Sequence, residues 1–252
     1  MADRLRWLGH STVLLDLDGM RLLTDPLLRR RVVHLRRAAP LAAERLERVD
    51  AVLVSHVHYD HLDLPSLRRI GRETRVVVPR GAGRLLARRG FVATELAVGE
   101  ETALGPLSIR AVRADHPRGR ALGMKADTVG YVIAGSQVVY FAGDTGLFPE
   151  MAEVAERVDV ALLPIWGWGP RLGPGHLDPE AAAEALALVR PRLAVPIHWG
   201  TYYPLTSKRR TPPAFLSAPA EEFERAAAEL APQVEVHVLP VGGTLDLTES
   251  GA

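Results

Sequence analysis

Three imidazoles and a carboxylate fall within one short stretch, Ser55-His56-Val57-His58-Tyr59-Asp60-His61. It follows Asp50-Ala51-Val52-Leu53-Val54, an apolar, β-branched run that reads as a buried strand. His56 and His58 are two apart, so an extended backbone projects them to the same side. Asp60 and His61 come after the chain begins to turn and can face a second centre nearby. Imidazole and carboxylate suit a divalent metal of borderline hardness, and the chain has no Cys to offer a thiolate. A solvated His-rich turn is the competing reading. Four ligand-type side chains directly after a core strand make it the weaker one.

Other residues of the same chemistry also sit at expected strand ends. His116 follows the run Leu107 to Val112 and reads as a further ligand, with Asp115 the competing neighbour. Asp144 lies between Gly143 and Gly146 after Gln137 to Phe141, where glycine allows close backbone approach. A carboxylate there could bridge two cations; the alternative is an Asp in a Gly-rich turn. His198 ends the run Arg192 to Ile197. His176 precedes Asp178-Pro179, which fit an N-cap and first helical position for a helix over Ala181 to Val189. His176 thus stands beside a helix N-terminus, where anions are favoured. Asp25, before Pro26, is either a turn former or a carboxylate receiving the far N–H of a metal-bound His. For His10 and His237 a structural role is the better reading.

The elements that must position these residues are strands alternating with helices. Thr12 to Leu17 and Met20 to Thr24 flank Asp18-Gly19, a hairpin signal, and Thr128 to Ile133 with Gln137 to Phe141 form a second. Arg75 to Val78, Thr94 to Leu96, Val160 to Pro164, Val234 to Val238 and Thr244 to Leu247 read as further strands. Helices are expected over Leu64 to Ile70, Gly81 to Arg89, Pro149 to Val158 and Glu221 to Leu230. Leu28 to Arg37 carries five arginines around His34; a solvated arm is favoured over a lid on an anionic substrate. Trp166 and Trp168 sit in a Gly/Pro-rich loop and are candidates to line a substrate pocket.

Composition bounds the rest. With 252 residues, 47% of them hydrophobic, and neither a repeat nor a Gly/Ser linker, a single domain over residues 1–252 is expected. The net charge is +1, and Lys125 and Lys208 are the lysines of an otherwise Arg-based positive charge. No basic arm suits a polyanion, so no nucleic-acid partner is expected. The absence of Cys, of a signal-peptide core and of any transmembrane-length run suits a cytoplasmic protein without membrane insertion. Oligomeric state leaves no trace in the sequence.

Together, His56-x-His58-x-Asp60-His61, then His116, Asp144 and His198 in that order, resemble the metallo-β-lactamase fold superfamily. Trp7-Leu-Gly-His-Ser-Thr12, Leu23-Thr-Asp-Pro26, Ser55 to Asp63, Phe141-Ala-Gly-Asp-Thr-Gly146, His176-Leu-Asp-Pro-Glu-Ala181 and Ile197-His-Trp-Gly-Thr201 resemble its branch containing N-acylphosphatidylethanolamine phospholipase D. Bacterial ascorbate-6-phosphate lactonases belong to a related branch. The resemblance implies an α/β fold, a four-layer αββα sandwich with the site on loops at one end of two packed sheets. It implies one metal on His56, His58 and His116, a second on Asp60, His61 and His198, and Asp144 bridging. It also tilts Asp25 toward holding a ligand and places His176 beside a substrate phosphate. His58 stands where redox di-iron members usually carry Glu, which counts against redox chemistry. The segment Asp115 to Arg120 lacks the aromatic that follows this His in the phospholipase, and no apolar surface helix suits a bilayer, so a small soluble substrate is expected.

Two cations would share a water, lower its pKa and stabilise charge in the transition state, with zinc the default and manganese or iron compatible. Asp60 and His176 are then the catalytic candidates, Asp60 orienting the nucleophile and His176 holding an anionic oxygen or protonating a leaving group. A small, anionic phosphodiester is the expected substrate. A lactone or ester attacked by the same centre is the alternative, and a nucleic-acid-processing or non-catalytic member is a weaker one.

Overall fold

Strand β1 (Arg4–Gly9) runs antiparallel to β2 (Thr12–Leu17), which turns into β3 (Met20–Thr24). Asp18 and Gly19 in that turn both have positive φ, 49° and 80°, as in the two-residue hairpins that Asp-Gly favours. The computed structural model describes every residue except 1, 42–45, 47, 118–119, 122–123, 206–213 and 248–252; residues 118–119 of the segment after His116 therefore lie outside the described residues. After β3 an arm forms β4 (Arg31–Val32) and β5 (Leu35–Arg37), and the chain re-enters the sheet as β6 (Ala51–Leu53), parallel to β3. Helix α1 (Leu64–Ile70) leads to β7 (Arg75–Pro79), and α2 (Gly83–Arg88) to β8 (Val92–Leu96). Both strands extend the sheet in parallel.

The second sheet starts with the hairpin β9 (Glu101–Leu104) and β10 (Leu107–Arg113). A short ribbon, β11 (Arg120–Ala121) with β12 (Met124–Lys125), precedes the hairpin β13 (Val129–Ala134) and β14 (Val138–Phe141). Next, β15 (Val160–Pro164) and β16 (Leu193–Ile197) add in parallel, linked through helix α3 (Pro179–Val189). Strand β17 (Tyr202–Pro204) pairs with β5 of the arm, and α4 (Ala218–Leu230) packs against α3. Finally β18 (Glu235–Val236) joins β16, and β19 (Thr244–Asp246) crosses back to β1. The two large sheets have the orders β19-β1-β2-β3-β6-β7-β8 and β18-β16-β15-β14-β13-β10-β9.

Period-two alternation divides the apolar side chains among three layers of contact. Leu5, Val13 and Leu15 of the first sheet meet Ile109, Tyr131, Phe141 and Val195 of the second in the central core. The second sheet turns Tyr140 and Leu163 outward onto Leu186 of α3 and Phe223 of α4. On the other side Leu23, Val52 and Val76 pack under Leu67 of α1 and Leu86 of α2. The layers are therefore αββα, as the resemblance implied.

Two segments differ from expectation. Over 149–158 only Pro149–Glu153 winds, as a 3₁₀ turn. Asp159 is already tied to β14, its N–H bonded to the Val138 carbonyl and its carboxylate accepting from the Val138 N–H. The Arg-rich arm is solvated on one face only, because it folds as a hairpin. Arg29 grips Asp63 through two bonds of 2.9 and 3.0 Å, and Asp63 also caps α1 by accepting from the Ser66 N–H. Arg37 is buried, donating to the Leu8 carbonyl and the Tyr202 hydroxyl. Val32 and Leu35 point inward onto Leu27 and Tyr202, while Arg31 and Arg36 point to solvent. Among the described residues no helix is long and apolar enough to cross a membrane.

Candidate metal centre

The carboxyl ends of parallel strands carry most of the centre: Asp25 after β3, His56 to His61 after β6, Asp144 after β14 and His198 after β16. Ligand sites of α/β sheets favour this edge, because the strand-to-helix loops leave a crevice there. His116 joins from the end of antiparallel β10. Gly143 and Gly175 let the loops close in. A Cβ on Gly143 would lie 2.6 Å from the Ser55 Cβ, and one on Gly175 would lie 2.9 Å from the Asp115 carbonyl; both have positive φ.

The ligand-type atoms converge in two clusters with Asp144 between them. In one, His58 Nδ1 lies 2.8 Å from His56 Nε2 and 3.3 Å from His116 Nε2. In the other, His61 Nε2 lies 3.2 Å from His198 Nε2 and 3.7 Å from Asp60 Oδ2. Asp144 places Oδ2 at 3.2 Å from His61 Nε2 and 3.8 Å from His56 Nε2, and Oδ1 at 3.2 Å from His198 Nε2. His176 Nε2 approaches Asp144 Oδ2 at 3.6 Å, its ring edge-on to His116.

Hydrogen bonds at the far ring nitrogens fix which atom faces inward. Nδ1 of His61 meets Asp25 Oδ2, Nδ1 of His116 meets the Gly175 carbonyl, and Nδ1 of His198 meets the Trp166 carbonyl, each at 2.7 Å. These oxygens can only accept, so each Nδ1 carries a proton. Ser55 donates its single hydroxyl proton to Asp25 Oδ2 and so accepts from His56 Nδ1 at 3.0 Å. Four imidazoles therefore turn Nε2 toward the cluster. This is how protein carboxylates and carbonyls orient metal-binding histidines.

Electrostatics agree. Burial drives His56 well below the ordinary imidazole value, and neighbouring His61 adds to it. Burial also pushes His198 down to about 3 against the opposing pull of Asp144. His61 goes the other way: burial disfavours its charged form, yet Asp144, Asp60 and Asp25 outweigh it and raise it well above the usual value. For Asp60 and Asp144 burial alone would raise the carboxyl, but the surrounding imidazoles hold both well below the ordinary range.

These residues fit divalent cations. Oδ1 of Asp144 is buried without a hydrogen-bond partner, and Nε2 of His61 and Nε2 of His198, whose ring protons sit on Nδ1, face each other at 3.2 Å. Neither is stable in a protein interior without a positive charge among them. In the metal-free protein a proton on His61 supplies part of that charge. Its raised pKa stabilises the metal-free fold below the unfolded value of 6.5, and this contribution is lost as pH rises through the folded value. Cation uptake at neutral pH is therefore expected to expel that proton and to weaken about tenfold per unit as pH falls. Calorimetry in buffers of different ionisation enthalpy counts the proton; none released would mean that His61 is already bare.

The sequence candidates divide as follows. Trp168 lines the 320 Å³ depression over the centre, whose floor includes His58, Asp60, Asp144 and His176. Trp166 does not: its indole bonds the Gly169 carbonyl and faces a separate depression beside Asp178 and Glu222. Its place at the end of β15 turns its backbone carbonyl, not its ring, toward His198. Asp115 belongs to no metal-type cluster among the described residues. His237 pairs with Glu235 at 2.8 Å, apart from the centre. Sequence reasoning undervalued His10, which is buried with Nε2 3.1 Å from Asp60 Oδ2 and shares a cluster with Asp60, His61 and His198. Its positive φ of 55°, like those of Asp25 (30°) and His198 (62°), leaves no trace in residue type.

Residues 20–199 match a family model described as the beta-lactamase superfamily domain. The chain is 32% identical to a UPF0173 metal-dependent hydrolase of Caldivirga maquilingensis, over 96% of this chain and 97% of that protein. It is 33% identical to N-acyl-phosphatidylethanolamine-hydrolyzing phospholipase D 1 of Caenorhabditis elegans, over 78% of this chain but 63% of that longer protein. Among solved structures, the metallo hydrolase Igni18 of Ignicoccus hospitalis superposes with a TM-score of 0.72 at 28% identity, covering 97% of this chain and 98% of its own.

Proposed function

This chain belongs to the beta-lactamase superfamily domain family, and from that premise we propose that it is a dinuclear metal-dependent hydrolase of small phosphodiesters. The observation that carries the reading is the pair of ligand clusters on either side of Asp144. His56, His58 and His116 would hold one cation, Asp60, His61 and His198 the other, and Asp144 both; zinc suits the imidazole-rich set, with manganese or iron compatible. Bound cations supply Lewis acidity, which acidifies water and polarises the substrate's reacting oxygen.

The chain's own residues do the rest. His10 holds Asp60 Oδ2 at 3.1 Å, so Asp60 keeps one fixed orientation from which to receive the nucleophile's proton. His176 bonds the Gly173 carbonyl through Nδ1 and turns Nε2 toward Asp144. There it can hold a phosphoryl oxygen or return a proton to the leaving group. That placement, and the name of the nematode relative, support a phosphodiester over a carboxylic ester.

Protein loaded separately with zinc and manganese is expected to hydrolyse bis(p-nitrophenyl) phosphate, and His198→Ala to lose that turnover. An absence of turnover with both cation positions filled would sink the phosphodiester and point to lactones, which the same centre would attack at a carbonyl.

A further inference from the structure

The depression over the centre has walls of a different character from its floor. One wall is the tip of the arm, Val33, His34 and Leu35; Trp168 and Tyr59 also line it. The rings of His34 and Trp168 meet edge to face, centroids 4.9 Å apart, and Trp168 packs on the small core of Leu27, Val32, Leu35 and Tyr202. Among the described residues no Lys or Arg lines the depression. The arm's five arginines are engaged elsewhere or exposed: Arg29 on Asp63, Arg37 on the Leu8 carbonyl, and Arg30, Arg31 and Arg36 toward solvent. A substrate group against this wall meets apolar and aromatic surface, and any anionic charge must be met on the floor.

Val33 adds a second, independent observation. Val32 and Leu35 pair across the hairpin, so Val33 and His34 form a two-residue loop. Val33 stands first in it with φ of 46°, a left-handed conformation that glycine favours and a β-branched residue resists. Its side chain is 65% exposed, so no core packing repays the strain. Strain of this kind persists at ligand clamps and binding sites.

Resting on the hydrolase reading above, we propose that Val33, His34 and Trp168 are the specificity-determining wall of this centre, and that it takes esters whose non-reacting group is a flat, uncharged aromatic ring. The ring would add to the His34–Trp168 edge-to-face pair and cover Val33. A volume of 320 Å³ is at the small end for ligand pockets and suits a ring with a short ester.

Hydroxamates chelate metal without reacting, so they probe the wall separately from the chemistry. Benzohydroxamate is expected to bind the zinc-loaded protein about tenfold tighter than acetohydroxamate by calorimetry, as burial of one ring face implies. Trp168→Ala should reduce that ratio to about one to threefold while changing acetohydroxamate affinity less than about twofold. Val33→Gly should also reduce it, and glycine accepts the positive φ, so folding is not in question. Equal affinities in the unaltered protein, or a ratio that survives both substitutions, overturn the wall and leave the metal centre standing. Loss of both hydroxamates together with the zinc overturns the metal-centre reading and the wall with it.

Discussion

Asp144→Asn is expected to abolish turnover, by on the order of a thousandfold in kcat/KM, and to lower bound metal below two ions per chain. The estimate follows from the several kcal/mol that a correctly held metal contributes to stabilising transition-state charge. Asp144 approaches the inward Nε2 atoms of both clusters, His56 in the first and His61 and His198 in the second. Asparagine keeps its shape but removes the charge that two cations would share. Its amide N–H groups can instead bond the bare Nε2 atoms, and the cost of a buried, unpartnered oxygen at Oδ1 disappears. These gains are opposed by the loss of the carboxylate that supports the His61 proton, so the metal-free variant should melt lower than the metal-free parent as well as losing activity. Elemental analysis with a thermal melt checks both halves. Full metal content with intact turnover would show that Asp144 bridges nothing.

His61 should respond to the same substitution. Asp144 is the strongest influence lifting its pKa against burial. Without that carboxylate the imidazolium loses its main support, so the metal-free variant should release fewer protons to any cation that still binds.

How much of this centre was legible beforehand follows from how local each signal is. His56, His58, Asp60 and His61 declare themselves because a strand and a turn bring them together within a few residues. Asp144 and His198 are less local but repeat the same grammar, a polar ligand directly after an apolar strand. His10 has no such grammar. It reaches Asp60 because its carbonyl accepts the His198 N–H, a contact between distant parts of the chain. The hairpin of the arm is hidden for the same reason. Its stabilising partner is β17, far along the sequence, and its alternation of Val32 and Leu35 with arginines is too short to register as a strand. Trp166 and Trp168 share a loop and a composition, and only the course of the backbone decides which ring meets the depression.

Asp25→Ala should produce a different kind of loss from Asp144→Asn, and the contrast separates holding a metal from holding its ligands. Asp25 is fully buried, and its two oxygens take the Ser55 N–H at 2.7 Å, the Ser55 hydroxyl at 2.5 Å and His61 Nδ1 at 2.7 Å. Through Ser55 it also sets the proton on His56, so one carboxylate orients a ring in each cluster. Alanine would free both imidazoles to rotate and exchange tautomers, and it would strand the buried Ser55 N–H. Loss of such an outer partner typically weakens metal affinity about 10–100-fold, and a buried donor left unsatisfied costs about 1–3 kcal/mol of stability. Every proposed ligand is still present, however. Excess zinc should therefore restore much of the Asp25→Ala activity, while no concentration should restore that of Asp144→Asn. A zinc titration followed by activity distinguishes them: an unchanged midpoint for Asp25→Ala would mean that packing alone orients His56 and His61, and a failure to recover at saturation would mean that Asp25 is itself a ligand.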